Sequence, residues 1–323
     1  MRRKISIRVY VLASGMVLLS VQFCIAQDEV HVKIPAGTFR MGHGGGGQRE
    51  ATQTVTVNAF LLDKTEVTNE AFAKFVAATG HQTVAERTVS WDELRPMYPA
   101  GTPPPDSTVL NPGSLVFVPT GRYVRLNDPS RWWRWTTGAN WQHPAGPESA
   151  WTGLENYPVV HVAYADAEAY CAWKGKRLPT EAEFEWASRG GLTDKKFAWG
   201  DELNPEGKFY ANYFQGAFPV KDAGDDGYPG LAPVRSFPPN GYGVYDLIGN
   251  VWEWCSDPFQ PRAGERESEL LNQKPRVTKG GSFLCSPNYC SNYLPAGRQA
   301  SEPNSGANHI GFRCAQSIPT AGR

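Results

Sequence analysis

Two cysteines in the segment GGSFLCSPNYCSNYL, residues 280–294, carry the side chains best suited to chemistry in this chain. Cys285 and Cys290 stand five residues apart in a polar loop that contains a proline. Three interpretations fit this spacing: a disulfide across the loop, a two-thiolate site for a soft ion such as copper(I), and a redox-active dithiol. Zinc fits less well, because it usually takes four ligands and no second cysteine pair or nearby histidine accompanies these two. The residues alone leave the three interpretations open.

Two acidic loops form a second group of candidate site residues. They are KDAGDDGYPG (residues 221–230), with Asp222, Asp225 and Asp226, and DLIGNVWEW (residues 246–254), with Asp246 and Glu253. Calcium takes about six to eight oxygen ligands, and glycine-containing loops can supply carbonyls beside the carboxylates. An ordinary loop of Asx turns explains the same composition, so calcium is one of two interpretations here.

The remaining polar motifs give weaker signals. None of the six histidines stands in a zinc-protease pattern, which favours structural roles for all of them. The pair Glu181 and Glu183 is expected on a solvated helix face. The segment RWWRW, residues 131–135, could mimic a nucleic-acid stacking site, but no wider basic surface accompanies it, so we interpret its tryptophans as packing residues.

The composition predicts one loop-rich α+β domain. The chain has 323 residues with 32 basic and 32 acidic side chains, a balance that gives no attraction to nucleic acid or to an anionic membrane. Its 33 glycines and 26 prolines interrupt the sequence too often for long helices or a doubly wound sheet. Its 11 tryptophans argue against disorder.

The N-terminus is typical of an export signal. Arg2, Arg3, Lys4 and Arg8 precede an apolar run, and Ala26 supplies the small residue that signal peptidase requires. We therefore predict a signal over residues 1–26 and a domain over 27–323, exported to a bacterial periplasm or the exterior, with an uncleaved signal anchor as the alternative. Five cysteines follow the signal, and an odd number leaves at least one thiol without an intramolecular partner.

Local patterns predict a few short elements that position these residues. The segments 31–42 and 54–67 alternate like strands, and residues 44–47 form a flexible glycine run. A helix is predicted from an Asn69 cap to Gly80. Two more are predicted between Asp166 and Arg189, the first capped by Asp166 and the second by a capping box of Thr180 and Glu183.

Several motifs together resemble the formylglycine-generating enzymes, also called sulfatase-modifying factors. They run in order along the chain: IPAGTFRMG, DKTEVTNEAFAKF, GANWQHPAGP, YPVVHVAYADAEAYCAWKGKRLPTEAEFEWASRGG, APVRSFPPNGYGVYDLIGNVWEW and KGGSFLCSPNYCSNY followed by NHIGFRCA. The superfamily that shares GNVWEW, GGSF and GFRCA also contains binding modules and iron-dependent sulfoxide synthases. The position of Cys285 and Cys290 resembles the oxidising branch.

The resemblance implies a fold, a reaction and a site. The fold would be a single α+β domain related to C-type lectins. The enzyme would use O2 to oxidise a cysteine within a Cys-x-Pro-x-Arg segment of unfolded sulfatases to Cα-formylglycine. Cys285 and Cys290 would hold copper(I), with the substrate thiolate as a third ligand. Ser282, Tyr289 and Trp252 would line the pocket for oxygen and substrate.

The resemblance also implies two structural calcium ions, a disulfide and a lone thiol. The first ion would take Asn212, Asp226 and the carbonyls of Tyr213 and Tyr228, and the second would take Asp246, Glu253 and the carbonyls of Gly249 and Val251. Cys171 would pair with Cys314. Cys255 would then remain as a small buried residue beside Trp254.

Two competing hypotheses follow from the wider superfamily. In one, the protein is a non-catalytic lectin-like surface module in which Cys285 and Cys290 form a disulfide. In the other it is an iron enzyme of the sulfoxide-synthase type, which we disfavour because those proteins carry an N-terminal helical domain with iron-binding histidines. The expected assembly is a monomer that meets sulfatase polypeptides, with no nucleic-acid partner and no membrane contact after signal cleavage.

Overall fold

The computed structural model describes residues 30–42, 52–95, 99–106, 110–261 and 274–319. The predicted export signal and the glycine run at 44–47 lie outside these ranges. Within them, no helix combines the length and the apolar character that crossing a membrane requires.

The described chain folds into short strands and short helices joined by long loops. The strands are β1 His31–Ile34, β2 Gly37–Met41, β3 Gln53–Val57, β4 Phe60–Asp63, β5 Gly113–Phe117, β6 Trp133–Thr137, β7 Trp252–Pro258, β8 Arg276–Lys279, β9 Arg298–Ser301, β10 Ile310–Gly311 and β11 Ala315–Ser317. The helices are α1 Asn69–Thr79, α2 Trp91–Leu94, α3 Tyr164–Trp173 and α4 Glu181–Ser188. The glycines and prolines explain why no helix or strand in the described ranges exceeds 11 residues.

Two small sheets bring distant parts of the chain together. The first has the order β1-β4-β11, so the C-terminal strand pairs with a strand near the N-terminus. The second has the order β10-β7-β8-β9, with β10 parallel to β7 and the other pairs antiparallel. Hairpins β2-β3 and β5-β6 complete the described strands. Antiparallel pairing with one parallel strand pair, together with a few separate helices, confirms the α+β prediction.

Helix α1 begins one residue earlier than the sequence indicates. Thr68, not Asn69, is the N-cap, and its hydroxyl accepts a hydrogen bond from the Ala71 amide. The Asn69 side chain instead donates to the Leu154 carbonyl and ties the helix to a distant loop. Gly80 ends the helix in the left-handed conformation, at φ 70°, as predicted.

Helices α3 and α4 confirm the predicted pair but correct two of its details. The N-cap of α3 is Ala163, and Asp166 lies inside the helix, where its carboxylate accepts from the Ala163 amide. The capping box of Thr180 and Glu183 forms as predicted. The expectation that Glu181 and Glu183 face solvent is wrong, because both are buried in ion pairs.

The two buried glutamates, Glu181 and Glu183, connect helix α4 to residues outside the helix. Glu183 receives two hydrogen bonds from Arg177, each of 2.7 Å, and Glu181 pairs with Arg298 of β9 at 2.8 Å. Such bidentate pairs fix geometry as well as adding energy. Sequence periodicity over one 8-residue helix cannot show that arginines from elsewhere cover this face.

A disulfide joins Cys171 of α3 to Cys314, next to β11. This confirms the predicted bridge between residues 143 positions apart. Cys255 is a free thiol that is completely buried on β7, and burial raises its pKa well above the ordinary value. It is therefore an inert core residue, as expected for the odd cysteine.

Candidate active site at the cysteine pair

The two cysteines lie in the loop that follows strand β8. This loop opens with Gly280 and Gly281, both at positive φ, where a Cβ on Gly281 would meet the Asn292 carbonyl at 2.9 Å. The close approach lets the far end of the loop fold back on its start. The Cys285 amide then donates to the Ser282 carbonyl at 2.9 Å, which tightens the turn that carries the first cysteine.

The sulfur atoms of Cys285 and Cys290 face each other at 2.8 Å. Both cysteines are free in the structure, with no disulfide between them. Cys285 is buried and Cys290 is partly exposed. Burial raises the pKa of Cys285 well above its ordinary value, whereas a hydrogen bond from Cys285 lowers the pKa of Cys290. The Asn292 side chain also donates to the Cys290 sulfur at 3.5 Å.

The pair lies at the wall of a cavity of about 250 Å³. Aromatic rings cover one side of this cavity, and the polar end of β9 with the following loop covers another. The described lining residues are Leu115, Trp132, Trp133, Phe218, Trp252, Ser282, Leu284, Cys285, Tyr289, Cys290, Gln299, Ala300, Ser301, Glu302, Ser305, Gly306, Ala307, His309 and Ile310. The volume suits a few side chains of a bound segment rather than a folded domain.

All five residues predicted for this site line the cavity. Ser282 is fully buried and its hydroxyl accepts from the Leu284 amide at 3.2 Å. Tyr289 stacks on Phe218, with ring centres 4.5 Å apart, and remains 42% exposed. Trp252 is buried at the start of β7. Their convergence is a structural finding; their roles in a reaction stay predictions.

The sequence did not identify four further residues that line the cavity. Trp132 and Trp133 were interpreted as packing residues, which holds for the fully buried Trp132, but both also face the cavity. Glu302 had no motif to mark it, and His309 lies in the motif NHIGFRCA but was assigned a structural role. They come from a segment that meets the cysteine loop only because β9 pairs with β8 and β10 pairs with β7.

A pair of histidines supports the wall of the cavity. His161 is completely buried, and its Nε2 lies 2.9 Å from the Pro144 carbonyl. His309 packs its ring against Trp133, with centroids 4.7 Å apart. Burial lowers the pKa of His161 to about 4, and burial together with the proximity of His161 lowers the pKa of His309 to about 3. Both imidazoles are therefore neutral near pH 7, in the structural role predicted for histidines here.

Acid is expected to destabilise the protein through His161. Its folded pKa of about 4 lies below the unfolded value of about 6.5. The contribution of neutral His161 to the free energy of unfolding is therefore complete above pH 6.5 and is lost as pH falls toward 4. Between pH 7 and pH 5 this amounts to about 2 kcal/mol. The variant His161→Asn tolerates the backbone φ of 61° and does not titrate. Urea unfolding at pH 7 and at pH 5 measures the free energy of unfolding. The difference between the two values should be smaller in His161→Asn than in wild type by that amount.

The control for this prediction is His31→Asn, because His31 is a partly exposed residue at the edge of β1. That variant should keep the wild-type difference between the two pH values. An unchanged difference in His161→Asn would show that the buried imidazole accepts a proton within the folded protein.

The residues of the first predicted calcium site lie close together. Asp226 accepts from the Tyr228 amide at 2.9 Å and from Gln215 Nε2 at 3.0 Å, and the same Nε2 contacts the Tyr213 carbonyl. Asn212 keeps a buried Oδ1 without a hydrogen-bond partner. Burial raises the pKa of Asp226, as it does for nearby Asp222, which has an unpartnered buried Oδ2. Oxygens without partners fit a hard cation, and Gln215 is a neighbour that the sequence did not mark.

The second predicted calcium site is a cluster of buried carboxylates. Asp246 and Glu253 are joined there by Glu66, from the segment before α1. Arg313 gives two hydrogen bonds of 2.7 Å to Glu253, and Glu66 Oε2 has no hydrogen-bond partner. Burial is the main cause that raises all three pKa values, to about 6 for Asp246. Three acidic side chains thus share one arginine in this cluster.

Neither calcium cluster is built from carboxylates alone. Among the described residues, no group of three or more histidine, cysteine, aspartate or glutamate side chains is arranged as a metal site. An ion at either place would therefore depend on amide and carbonyl oxygens, such as Asn212 Oδ1 and the carbonyls of Gly249 and Val251, as the predicted ligand sets require.

The sequence matches a known family over almost its whole length. A family model described as the sulfatase-modifying factor enzyme 1-like domain matches residues 21–318. The chain belongs to this family. The formylglycine-generating enzyme of Thermomonospora curvata is 45% identical to it over 301 residues, which cover 88% of this chain and 92% of that protein. The enzyme of the same name from Mycobacterium tuberculosis is 44% identical to this chain, and the alignment covers 96% of that protein.

Solved structures support the same fold at lower similarity. The structure of PvdO from Pseudomonas aeruginosa aligns with a TM-score of 0.53 and 23% identity, over 89% of this chain and 94% of that one. Treponema denticola variable protein 1 aligns with a TM-score of 0.54 and 21% identity, over 89% and 95%. These likenesses confirm the predicted fold class and carry no information about activity.

Family membership does not by itself settle the activity. A mouse protein named inactive C-alpha-formylglycine-generating enzyme 2 is 39% identical to this chain over 299 residues. The activity of this chain must therefore be argued from its own cysteine pair and cavity.

Proposed function

We propose that this protein oxidises a cysteine of sulfatase polypeptides to Cα-formylglycine. The observation that carries the proposal is the pair of facing thiols, 2.8 Å apart, at the wall of a cavity of about 250 Å³. The chain shares this family with enzymes named for generating formylglycine, including the mouse enzyme at 43% identity.

The donor set of the pair fits copper(I). Two thiols are soft donors whose sulfur atoms face each other, and Glu302 and His309 are the carboxylate and the imidazole among the described residues that line the cavity with them. Metal–thiolate bonds are about 2.3 Å long for zinc, so the two sulfurs, now 2.8 Å apart, would move apart in order to hold one ion. The intervening residues 287–289 are exposed, which leaves the Cys290 side of the loop free to make that adjustment.

Copper would supply the one-electron chemistry that lets O2 react with the substrate, and Cys285 and Cys290 would hold it. The protein residues would bind and orient. Tyr289, Trp132 and Phe218 form the apolar wall that excludes water from the bound segment. Cys290 is the partly exposed member of the pair, so the client sulfur would approach from its side. Ser282 holds the turn below Cys285 through its carbonyl.

The client would be an unfolded segment rather than a finished domain. A cavity of about 250 Å³ holds a few side chains, and an extended segment can present a cysteine to it where a folded surface cannot. We propose that modification takes place in an exported compartment before the client folds. The Cys171–Cys314 disulfide supports an oxidising location for this chain.

A peptide assay tests the proposed function. The reduced protein is mixed with copper(I) and a Cys-x-Pro-x-Arg peptide in air, and the aldehyde is detected by mass and by hydrazide capture. We expect product with copper and none when oxygen is excluded. Absence of aldehyde under copper-replete aerobic conditions contradicts the proposal and leaves the lectin-like binding module.

We further propose that the two acidic clusters bind structural calcium. Removal of calcium with EGTA at pH 7.5 should lower the free energy of unfolding, because Arg313 alone then offsets the mutual repulsion of the carboxylates of Glu66, Asp246 and Glu253. Ligand at about 100 times its dissociation constant stabilises a protein by about 2.7 kcal/mol per site, which sets the expected scale. Thermal unfolding with and without added calcium measures it.

The control for the calcium prediction uses two substitutions of the same type. Asp246→Ala should reduce the response to calcium, whereas Asp201→Ala should keep it, because Asp201 is exposed and paired with Lys195. An equal response in wild type and Asp246→Ala would remove the second calcium site from the proposal.

A further inference from the structure

A second depression, of about 570 Å³, lies in the loop before strand β6, outside the cysteine cavity. Its lining residues come from positions 122–131 and include three arginines, Arg122, Arg125 and Arg131. One acidic side chain, Asp128, lies among them. It accepts hydrogen bonds from Arg131 Nε at 3.0 Å and from the Ser130 hydroxyl at 2.5 Å. Asp128 is therefore already engaged within its own loop.

The other two arginines of the depression are exposed and have no partner of their own. In the part of the chain that the structure describes, neither Arg122 nor Arg125 forms an ion pair or a side-chain hydrogen bond. Tyr123, which lies between them in the sequence, is 84% exposed. Each guanidinium offers five N–H donors. The depression therefore presents two uncompensated positive charges and one free aromatic ring to solvent.

This positive charge is a local feature. Four of the 32 basic side chains belong to residues 1–26, so residues 27–323 hold 28 basic and 32 acidic side chains. The basic depression thus lies on a domain with an excess of acidic residues, and its charge does not follow from the overall composition. The sequence indicated no wider basic surface beside the segment 131–135, whereas the structure places Arg122 and Arg125 in one depression with Arg131.

The loop that forms the depression borders the wall of the cysteine cavity at both of its ends. At its start, the Gly121 amide donates to the Val220 carbonyl at 3.2 Å, two residues after Phe218. At its end, Arg131 directly precedes Trp132. Phe218 and Trp132 both line the cavity. Because an extended chain advances about 3.3 Å per residue, a segment that leaves the cavity across these rings would reach the arginines within several residues.

Carboxylates are the ligands that this depression suits best. A guanidinium binds a carboxylate through two parallel hydrogen bonds, a geometry that an exposed arginine can adopt without rearranging the loop. A nucleic acid would also meet the positive charge, but it needs exposed rings on which successive bases stack. Trp132 is completely buried in the cavity wall, and Trp133 packs against His309. The continuity with the cavity further favours a polypeptide, since that is the chain proposed to occupy the cavity.

We propose that Arg122 and Arg125 form a second contact surface that binds acidic side chains of the client polypeptide, outside the segment that carries the cysteine. This inference rests on the proposed function and adds a surface that acts on binding and not on the oxidation itself. Asp128 and Arg131 hold the shape of the depression, and the two unpaired arginines supply the charge.

A matched peptide series tests the inference by fluorescence anisotropy with the reduced, copper-free protein. Each labelled peptide carries the Cys-x-Pro-x-Arg segment, with serine in place of cysteine so that no mixed disulfide forms. A block of three glutamates is placed at successive distances on either side, and its partner peptide carries three glutamines there. We expect the glutamate block to bind more tightly at one distance by about fivefold, which corresponds to about 1 kcal/mol. The preference should disappear in 1 M salt, where the Debye length is about 3 Å.

Three double variants complete the experiment. Arg122→Gln with Arg125→Gln should lose the preference and bind the glutamine peptides as wild type does. Arg122→Glu with Arg125→Glu should instead favour a block of three lysines at the same distance. The control is Arg87→Gln with Arg95→Gln, which removes two exposed arginines that do not line the depression. It makes the same change in net charge and should keep the preference for glutamate.

The outcomes separate this inference from the proposed function. Equal affinities for the glutamate and glutamine peptides in wild type, or an equal loss of the preference in the control, would overturn the contact surface even if oxidation proceeds. A preference that depends on Arg122 and Arg125, found without any aldehyde from the cysteine peptides, would support the surface and reject the oxidation. Binding of single-stranded DNA or a sulfated polysaccharide through these arginines, without a glutamate preference, would assign the depression to that polymer and overturn the proposal.

Discussion

Replacing either Cys285 or Cys290 with serine is expected to abolish tight copper(I) binding and aldehyde formation. A hydroxyl is a hard, weak ligand for copper(I), and one remaining thiol cannot provide the two soft donors that face each other at 2.8 Å. We expect affinity to fall by at least about a thousandfold in each variant. Competition with a copper(I) chelator measures the affinity, and peptide turnover measures the activity.

The fold should survive both substitutions. The two cysteines are not bonded to each other, and they would close only a short loop. Unfolding free energies are therefore expected to stay within about 1–2 kcal/mol of wild type, with the larger loss at the buried Cys285. A serine variant that unfolds globally would instead point to a structural role for the pair.

The remaining free thiol provides a matched control. Cys255 is buried on β7 and does not line the cavity, so Cys255→Ala should keep copper binding at wild-type affinity. Full copper affinity in Cys285→Ser or Cys290→Ser would contradict the assignment of the site. Peptide mapping that finds a permanent bond between Cys285 and Cys290 would favour the binding-module hypothesis.

The site could be predicted from sequence where its residues share one loop. Ser282, Cys285, Tyr289 and Cys290 lie within nine residues, and local turn geometry brings them together. The tryptophans of the opposite wall could not be placed in this way. Trp132 is more than 150 positions from the cysteines, and its place in the wall depends on packing against Phe218 and Tyr289.

The charge partners were unpredictable for the same reason. Spacing suggested that Asp246 and Glu253 share a site, and the structure does bring them into one cluster. Glu66 and Arg313 enter that cluster from near the two ends of the described chain, because β11 pairs with β4. A pattern within one segment shows which face of an element is polar, but it does not show which distant charge covers it.

Helix α4 gives the clearest example of such a hidden partner. Glu185 on this helix is completely buried, and its carboxylate binds Arg189 at 2.7 Å and Lys279 at 3.0 Å. The Gly42 amide adds a hydrogen bond of 2.7 Å. Burial by itself would raise the pKa of Glu185, but Lys279 and Arg189 outweigh it and lower the pKa. The carboxylate thus stays charged between two buried cations.

This arrangement also positions the cysteine loop. Lys279 is the last residue of β8, immediately before the glycine pair that begins the loop. Its ammonium group is fully buried and is anchored by Glu185. The ion pair between Lys279 and Glu185 therefore connects the start of the loop directly to helix α4.

Glu185→Gln is expected to destabilise the protein by about 3–5 kcal/mol, because it removes the buried carboxylate that binds both Lys279 and Arg189 and so weakens the compensation of buried positive charge. Guanidinium unfolding at pH 7 measures the loss. Glu70→Gln makes the same chemical change at an exposed pair with Lys74 and should cost no more than about 0.5 kcal/mol. Adding Lys279→Met to Glu185→Gln should recover part of the stability, since it removes one of the uncompensated charges. A loss below about 1 kcal/mol in Glu185→Gln would show that water or a shifted side chain reaches these cations and that the charge pair does not hold the cysteine loop in place.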